Sequence, residues 1–266
     1  MISLLTLIGC SDDKTGLGAV DVPTADQQAL CDAHSDSVFV PGRGFEPDGT
    51  TPVRDWCVNK FEYANERFNN FIAGLNSGGP KWTVTTTCTV AAATQDAAEV
   101  ADCVDGNHTT SAVPVSTDVK NNSPAGFDGN DQPNVMQTWQ DAQAACRFEG
   151  QELLTEGQWL NAMSGTSGND TYAVPDGKTL AGHATYNTDH TTNVADANNE
   201  NSFGIDNGTG NAWERVLNPS FIRGGGYLDD STDDLRVDCR GGHSGSAVNP
   251  GDGLGFRCGF PPKTQE

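Results

Sequence analysis

Hydrophobic positions along the chain come in short bursts separated by long polar runs, and their period changes from one burst to the next. Val38, Phe39 and Val40 in "VFVPGRG" read as a strand ended by a turn. In "WCVNKFEYANERFNNFIAGL", Val58, Phe61 and Tyr63 are strand-forming types, after which Phe68, Phe71, Ile72 and Leu75 recur at i, i+3, i+4 and i+7. The switch predicts a strand running into an amphipathic helix. In "QTWQDAQAACRFEG", Thr138 with Asp141 has the form of a capping box, Trp139, Ala142 and Cys146 share a helical face, and Gly150 stops the helix. A second helix is expected in "TEGQWLNAM", with Thr155 as N-cap, Gln158 at the reciprocal position, and Trp159 and Met163 on the buried side. Near the end, "FIRGGGYL", "LRVDCRGG" and "GLGFRCGF" read as three short strands separated by turns.

The polar runs divide the chain further. Residues 76–131 read as an insertion, a hairpin closed by a local Cys88–Cys103 bridge. From Ser164 to Asn211 the chain is almost entirely loop, and so long an irregular segment in a compact domain is usually functional or organised by a cation. With 266 residues, one domain with insertions is the simplest organisation, and 31 Gly with 13 Pro imply many loops. Asp plus Glu number 36 against 15 Lys plus Arg, with no basic patch, which excludes nucleic acid as a partner on long-range repulsion.

The opening "MISLLTLIGC" reads as the apolar end of an export signal, because Leu7-Ile8-Gly9-Cys10 has the form of a bacterial lipobox; a short buried strand is the alternative. On that reading residues 1–10 end at a lipidated Cys10, residues 11–29 are a polar tether, residues 30–262 form the domain and residues 263–266 a tail. Ser11 after Cys10 points to an outer-membrane anchor, on the periplasmic or the surface face, within a bacterial cell envelope. Eight Cys agree with an oxidising compartment. Setting Cys10 aside leaves an odd number, and no Cys-x-x-Cys spacing suggests zinc or a redox pair.

Two polar segments carry candidate chemistry. "GIDNGTGNAWERV" is either a loop wrapped around a hard cation through Asn207, Glu214 and backbone carbonyls, or a Gly/Asn-rich turn leading to a core Trp213. The run Asp229, Asp230, Asp233 and Asp234 is an acid/base pair, a cation site or a solvated acidic turn. The five His show no ligand spacing.

Taken in order, "WQDAQAACRFEGQELLTEGQWLNAMSG", "SFGIDNGTGNAWERV" and "FIRGGGYL…LRVDCRGG…GLGFRC" resemble the formylglycine-generating enzyme or sulfatase-modifying-factor family. The resemblance is strong over residues 132–260, weaker over 38–75, and leaves the insertion outside. It implies an α+β fold of the C-type-lectin-like kind with little regular secondary structure and long loops. It also implies a structural calcium ion held through the pattern N-x-x-G-x-A-x-E, here Asn207, Gly210, Ala212 and Glu214. A second calcium site of the family would fall at Asn187, Thr188 and Asp189, where the segment is shortened. The fold's usual bridge from the first domain helix to the last strand would join Cys146 to Cys258, at ~4 kcal/mol in the chain-entropy model; a buried unpaired Cys146 is the alternative. Which two of Cys31, Cys57 and Cys239 pair stays open.

The family oxidises a substrate Cys with copper held by two Cys. Counted from Arg223, those positions fall on Asp229 and on or near Asp234, so no copper is expected and the copper-thiolate reaction cannot run as in the family. The resulting expectation is a lipid-anchored, non-catalytic, calcium-containing binding protein whose partner is a glycan or a protein. Its ligand face would comprise Tyr227, Asp229, Asp230, Asp233, Asp234 and His243. The alternatives are a divergent enzyme using the same pocket and a structural envelope lipoprotein.

Overall fold

The computed structural model describes residues 6–10, 17–76, 83–85, 112–114, 121–168, 170–174, 178–195, 199–218, 221–242 and 253–263. Two sheets carry the fold. The larger runs in the order β1(Thr6–Cys10), β9(Cys239–Gly242), β8(Phe221–Arg223), β7(Trp213–Arg215), β10(Leu254–Phe256), antiparallel except for the β7–β10 pair. The smaller is antiparallel in the order β2(Ser37–Val40), β3(Trp56–Asn59), β11(Cys258–Phe260), β6(Glu152–Leu153). Within residues 76–131, β4(Thr83–Thr85) and β5(Ala112–Pro114) pair as an antiparallel ribbon, while Cys88 and Cys103 lie outside the described residues.

The helices form where the apolar period places them. Helix α2(Asn65–Asn76) buries Phe68 and Phe71 against Trp139, Ala142 and Cys146 of α3(Trp139–Phe148), with Phe256 completing the cluster. Helix α4(Glu156–Met163) buries Trp159 and Met163 among Val38, Val58, Ile205 and Val216. Thr138 accepts from the Asp141 N–H, and Thr155 accepts from the Gln158 N–H. The returning bond, in which the Gln158 side-chain oxygen accepts from the Thr155 N–H, is made in α4 but not in α3. Asp141 instead lies in the field of the buried Arg215, so the α3 box is half formed. Gly150, at φ 74°, ends α3 as expected.

Several boundaries differ from the sequence reading. Phe61 and Tyr63 lie beyond the end of β3, and Tyr63 stacks on Phe256 at 4.6 Å. Leu235 to Asp238 make turns ahead of β9 rather than its first half. The "GLGFRCGF" run is two strands in two sheets: β10 pairs with β7, β11 pairs with β3 and β6, and Arg257 sits at the crossing. The stretch expected as a tether ends in a short helix, α1(Ala25–Ala29), capped by Thr24. It docks on β2, where Gln28 donates to the Ser37 carbonyl at 2.7 Å and accepts from the Phe39 N–H at 3.1 Å.

Cys146 and Cys258 are disulfide-bonded, tying α3 to β11. Cys31 pairs with Cys57. Cys239 is also disulfide-bonded, so among the described residues no cysteine is free.

Candidate functional site

The loop from Asn207 to Glu214 enters β7 through backbone conformations few side chains tolerate: φ is 53° at Asn207, 78° at Gly210 and 64° at Asn211. Gly210 is also required by space, because a Cβ there would lie 2.4 Å from the Thr185 carbonyl oxygen. The loop is buried throughout. Asn207 accepts from Asn199 Nδ2 at 2.7 Å through Oδ1 and donates through Nδ2 to the carbonyls of Asn193 and Val194. Glu214 accepts from the Trp159 indole at 2.6 Å and from Arg257 Nη2 at 2.7 Å. Arg257, itself fully enclosed, also donates to the carbonyls of Asn59, Lys60 and Asp206.

A second carboxylate completes this centre. Glu62 accepts from Asn211 Nδ2 at 2.5 Å and from the Ala212 N–H at 3.1 Å. Burial holds its carboxyl well above the ordinary range; Glu214 pushes it further and Arg257 pulls it back. Two buried acids thus face one guanidinium. Among the described residues no group of three or more His, Cys, Asp or Glu converges as a metal site, so a cation here would depend on amide and backbone oxygens. On donor type the loop fits a hard cation, since it offers an amide oxygen, a carboxylate and carbonyls from one tight turn.

The second candidate region lies at the end of β8. Gly226 donates to Asp229 Oδ2 at 2.6 Å, and the Trp213 indole donates to the same carboxylate. Burial raises the Asp229 carboxyl to about 6, with Asp234 and Asp230 adding repulsion. Asp234 is raised by burial and then by Asp233 and Asp230. Tyr227 is buried beside Phe127, with ring centroids 5.1 Å apart, whereas Leu228 is 60% exposed. Asn187 donates its N–H to the Asp229 carbonyl at 2.9 Å and Thr188 to the Tyr227 carbonyl at 2.8 Å. Residues 187–189 and 227–234, proposed on separate grounds, therefore form one face. Asp189 on that face is fully exposed and pairs with His190 at 2.6 Å, which holds its carboxyl below the ordinary range. His243 lies outside the described residues.

The structure also shows partners that sequence reasoning missed. Glu62, Trp159 and Arg257 all converge on the Asn207–Glu214 loop, and Glu156 binds both Arg223 and Arg240. The only sequence signal for Arg257 was an arginine inside an otherwise apolar strand run.

The family model for the sulfatase-modifying factor enzyme 1-like domain matches residues 24–259. The chain belongs to that family. The match begins just ahead of α1 and extends into β11. Among solved structures, Treponema denticola variable protein 1 superposes with a TM-score of 0.52 at 14% identity, over 85% of this chain and 94% of that one. CarF superposes at 0.51 and 16% identity, over 87% and 100%. PvdO from Pseudomonas aeruginosa does so at 0.52 and 15%, over 87% and 96%. These likenesses establish the fold, the α+β arrangement of the formylglycine-generating-enzyme type. The curated protein sequences contain no match.

Proposed function

We propose that this family domain is a non-catalytic binding module of the bacterial cell envelope, with a glycan or protein ligand and a structural calcium ion. The observation that carries this reading is the chemistry at the end of β8. Carboxylates, Asp229 and Asp234, occupy the positions the resemblance assigns to copper-binding thiolates, and the nearest cysteine along the chain, Cys239, is committed to a disulfide. What remains is a partly enclosed acidic face on loops held by a rigid core, an arrangement suited to recognition.

Calcium would be held by Asn207, the carbonyls of Gly210 and Ala212, and Glu214, and would supply positive charge where two buried acids now share Arg257. Asn199 would give up its bond to Asn207 Oδ1. Asn187, Thr188 and Asp189 are the candidates for a second, weaker site. Cys10 is the proposed lipidation site, and processing there would remove the strand that pairs with β9. Among the described residues no helix is long and apolar enough to cross a membrane.

The test is metal analysis of the purified protein, followed by assay of a thiol peptide under oxygen with added copper. Calcium without redox metal, and no turnover, supports the binding module. A second reading, a divergent enzyme on the same face, draws on Asp229, whose raised carboxyl suits proton transfer near neutral pH. Tightly bound copper or iron, or turnover that Asp229→Asn abolishes, would establish that reading instead.

A further inference from the structure

Away from both candidate regions, residues 45–52 form a small hairpin against the start of α4. Phe45 and Pro52 bridge its ends, Glu46 donates its N–H to the Thr51 carbonyl at 2.7 Å, and Asp48 turns inward to accept from the N–H groups of Thr50 and Thr51. These bonds hold the hairpin to itself. Among the described residues, its hydrogen bonds to another element are the two that Glu46 makes: one carboxyl oxygen accepts from the Thr155 hydroxyl at 2.6 Å and the other from the Gly157 N–H at 2.9 Å. Gly157 makes room for this contact, because a Cβ there would lie 2.7 Å from Glu46 Cδ and 2.5 Å from Val53 Cγ2. The neighbouring Phe45 is 60% exposed and adds little apolar burial.

Glu46 is itself only 3% exposed, and both of its donors are neutral. Two carboxylates repel it: Glu156 on α4, which is held by Arg223 at 2.8 Å and Arg240 at 2.9 Å, and Asp48 within the hairpin. Arg54 and Glu152 line the same small cleft as Glu46, and Glu152 pairs with Arg147 at 3.4 Å. An ionised carboxylate so enclosed, met by neutral donors and like charges, is costly. A proton removes that cost and keeps the contacts, since a carboxyl group both accepts and donates. Burial outweighs the two hydrogen bonds and raises the Glu46 carboxyl to about 7.

We propose that the 45–52 hairpin is a pH-operated latch, closed on α4 while Glu46 carries a proton and released as Glu46 ionises. With the hairpin open, Glu46 meets water and titrates near its ordinary 4.5, so the closed form binds the proton more tightly than the open one. Opening is therefore favoured by up to about tenfold for each pH unit between about 5 and 7, and the effect levels off above 7. Release uncovers the Thr155 hydroxyl and the Gly157 N–H.

The experiment is hydrogen exchange of the full chain from about pH 5 to about pH 8, corrected for the intrinsic exchange rate and read by NMR at the Gly157 amide. Protection is expected to fall by up to about tenfold per unit as far as pH 7 and then to level. Glu46→Gln, which offers one acceptor and one donor in the shape of the protonated acid, should hold protection flat at the acid-side value. A carbon-13 titration of the Glu46 carboxyl in the unaltered chain tests the same idea without a variant, with a midpoint near 7 expected. Protection that is flat or rises with pH in the unaltered chain, a slope that survives in Glu46→Gln, or a carboxyl midpoint at its ordinary 4.5 would each overturn the latch.

Discussion

The Asn207–Glu214 loop and the Tyr227–Asp234 turn are both drawn from Gly, Asn and acidic residues, yet they end in opposite electrostatic states. In the first, the acid Glu214 is 1% exposed and is met by Arg257 and Trp159. In the second, Asp229 accepts from the Gly226 N–H and the Trp213 indole, and the neighbouring Asp234 and Asp230 repel it. Burial with a cation turns a carboxylate into a structural bolt; partial burial among like charges leaves it poised to take a proton or a ligand.

The sharpest way to break this contrast is to remove Glu214. Glu214→Ala would leave Arg257 charged and enclosed without its partner, and should cost about 3–5 kcal/mol in urea unfolding. A loss below ~1 kcal/mol would mean that the ion pair is not what fixes the loop. Calcium comes next in size. If the loop takes the ion, calcium at about a hundred times its Kd should add ~2.7 kcal/mol and raise the unfolding midpoint relative to chelator. Unchanged midpoints would leave Asn207 and Glu214 as purely protein-bonded residues.

The turn offers a smaller effect with a definite sign. The Asp229 carboxyl is raised in the fold to about 6 from an ordinary 3.8, so the native state holds its proton more tightly than the unfolded chain. Stability should therefore fall as pH rises from about 4 to about 6, by ~1 kcal/mol once solvent screening is allowed for. Asp229→Asn should flatten that slope and gain stability above pH 6; a slope of opposite sign would show that the ionised form is the favoured one. The exposed Asp233 is expected to matter least: Asp233→Asn should shift stability by under ~0.5 kcal/mol. A larger change would show that the acidic turn is part of the core scaffold.

Processing at Cys10 gives a separate check on the envelope reading. Mass analysis of protein from membranes should find a diacylglyceryl thioether on an N-terminal Cys10. A non-reducing digest that links the Cys10 and Cys239 peptides would overturn it, because one sulfur cannot serve both bonds. Their backbone register, Cys10 opposite Cys239, makes this comparison worth the digest.

Helices α2, α3 and α4 were legible from pattern alone. The spacing of Phe68, Phe71, Ile72 and Leu75, and the Thr155–Gln158 cap, specify local geometry through bonds three or four residues apart. Strand ends were less legible. A short apolar run such as "GLGFRCGF" has the same period whether it serves one sheet or two, and only the partners β7, β3 and β6 divide it at Arg257. Residues 25–29 read as tether because they bury none of their own side chains and dock only through bonds to Ser37 and Phe39, although the Thr24–Gln27 cap is written in the sequence.

The candidate site divides in the same way. The sequence by itself determined the loop chemistry, through its glycines and the order Asn207, Gly210, Ala212, Glu214, and it placed the acidic run Asp229, Asp230, Asp233 and Asp234 after β8. Only the tertiary structure decided which acids are neutralised. Glu62 and Arg257 lie 195 positions apart, and the charge each carries depends on which groups the fold brings within a few ångströms and on how much water it excludes, neither of which is written in any local stretch of the chain.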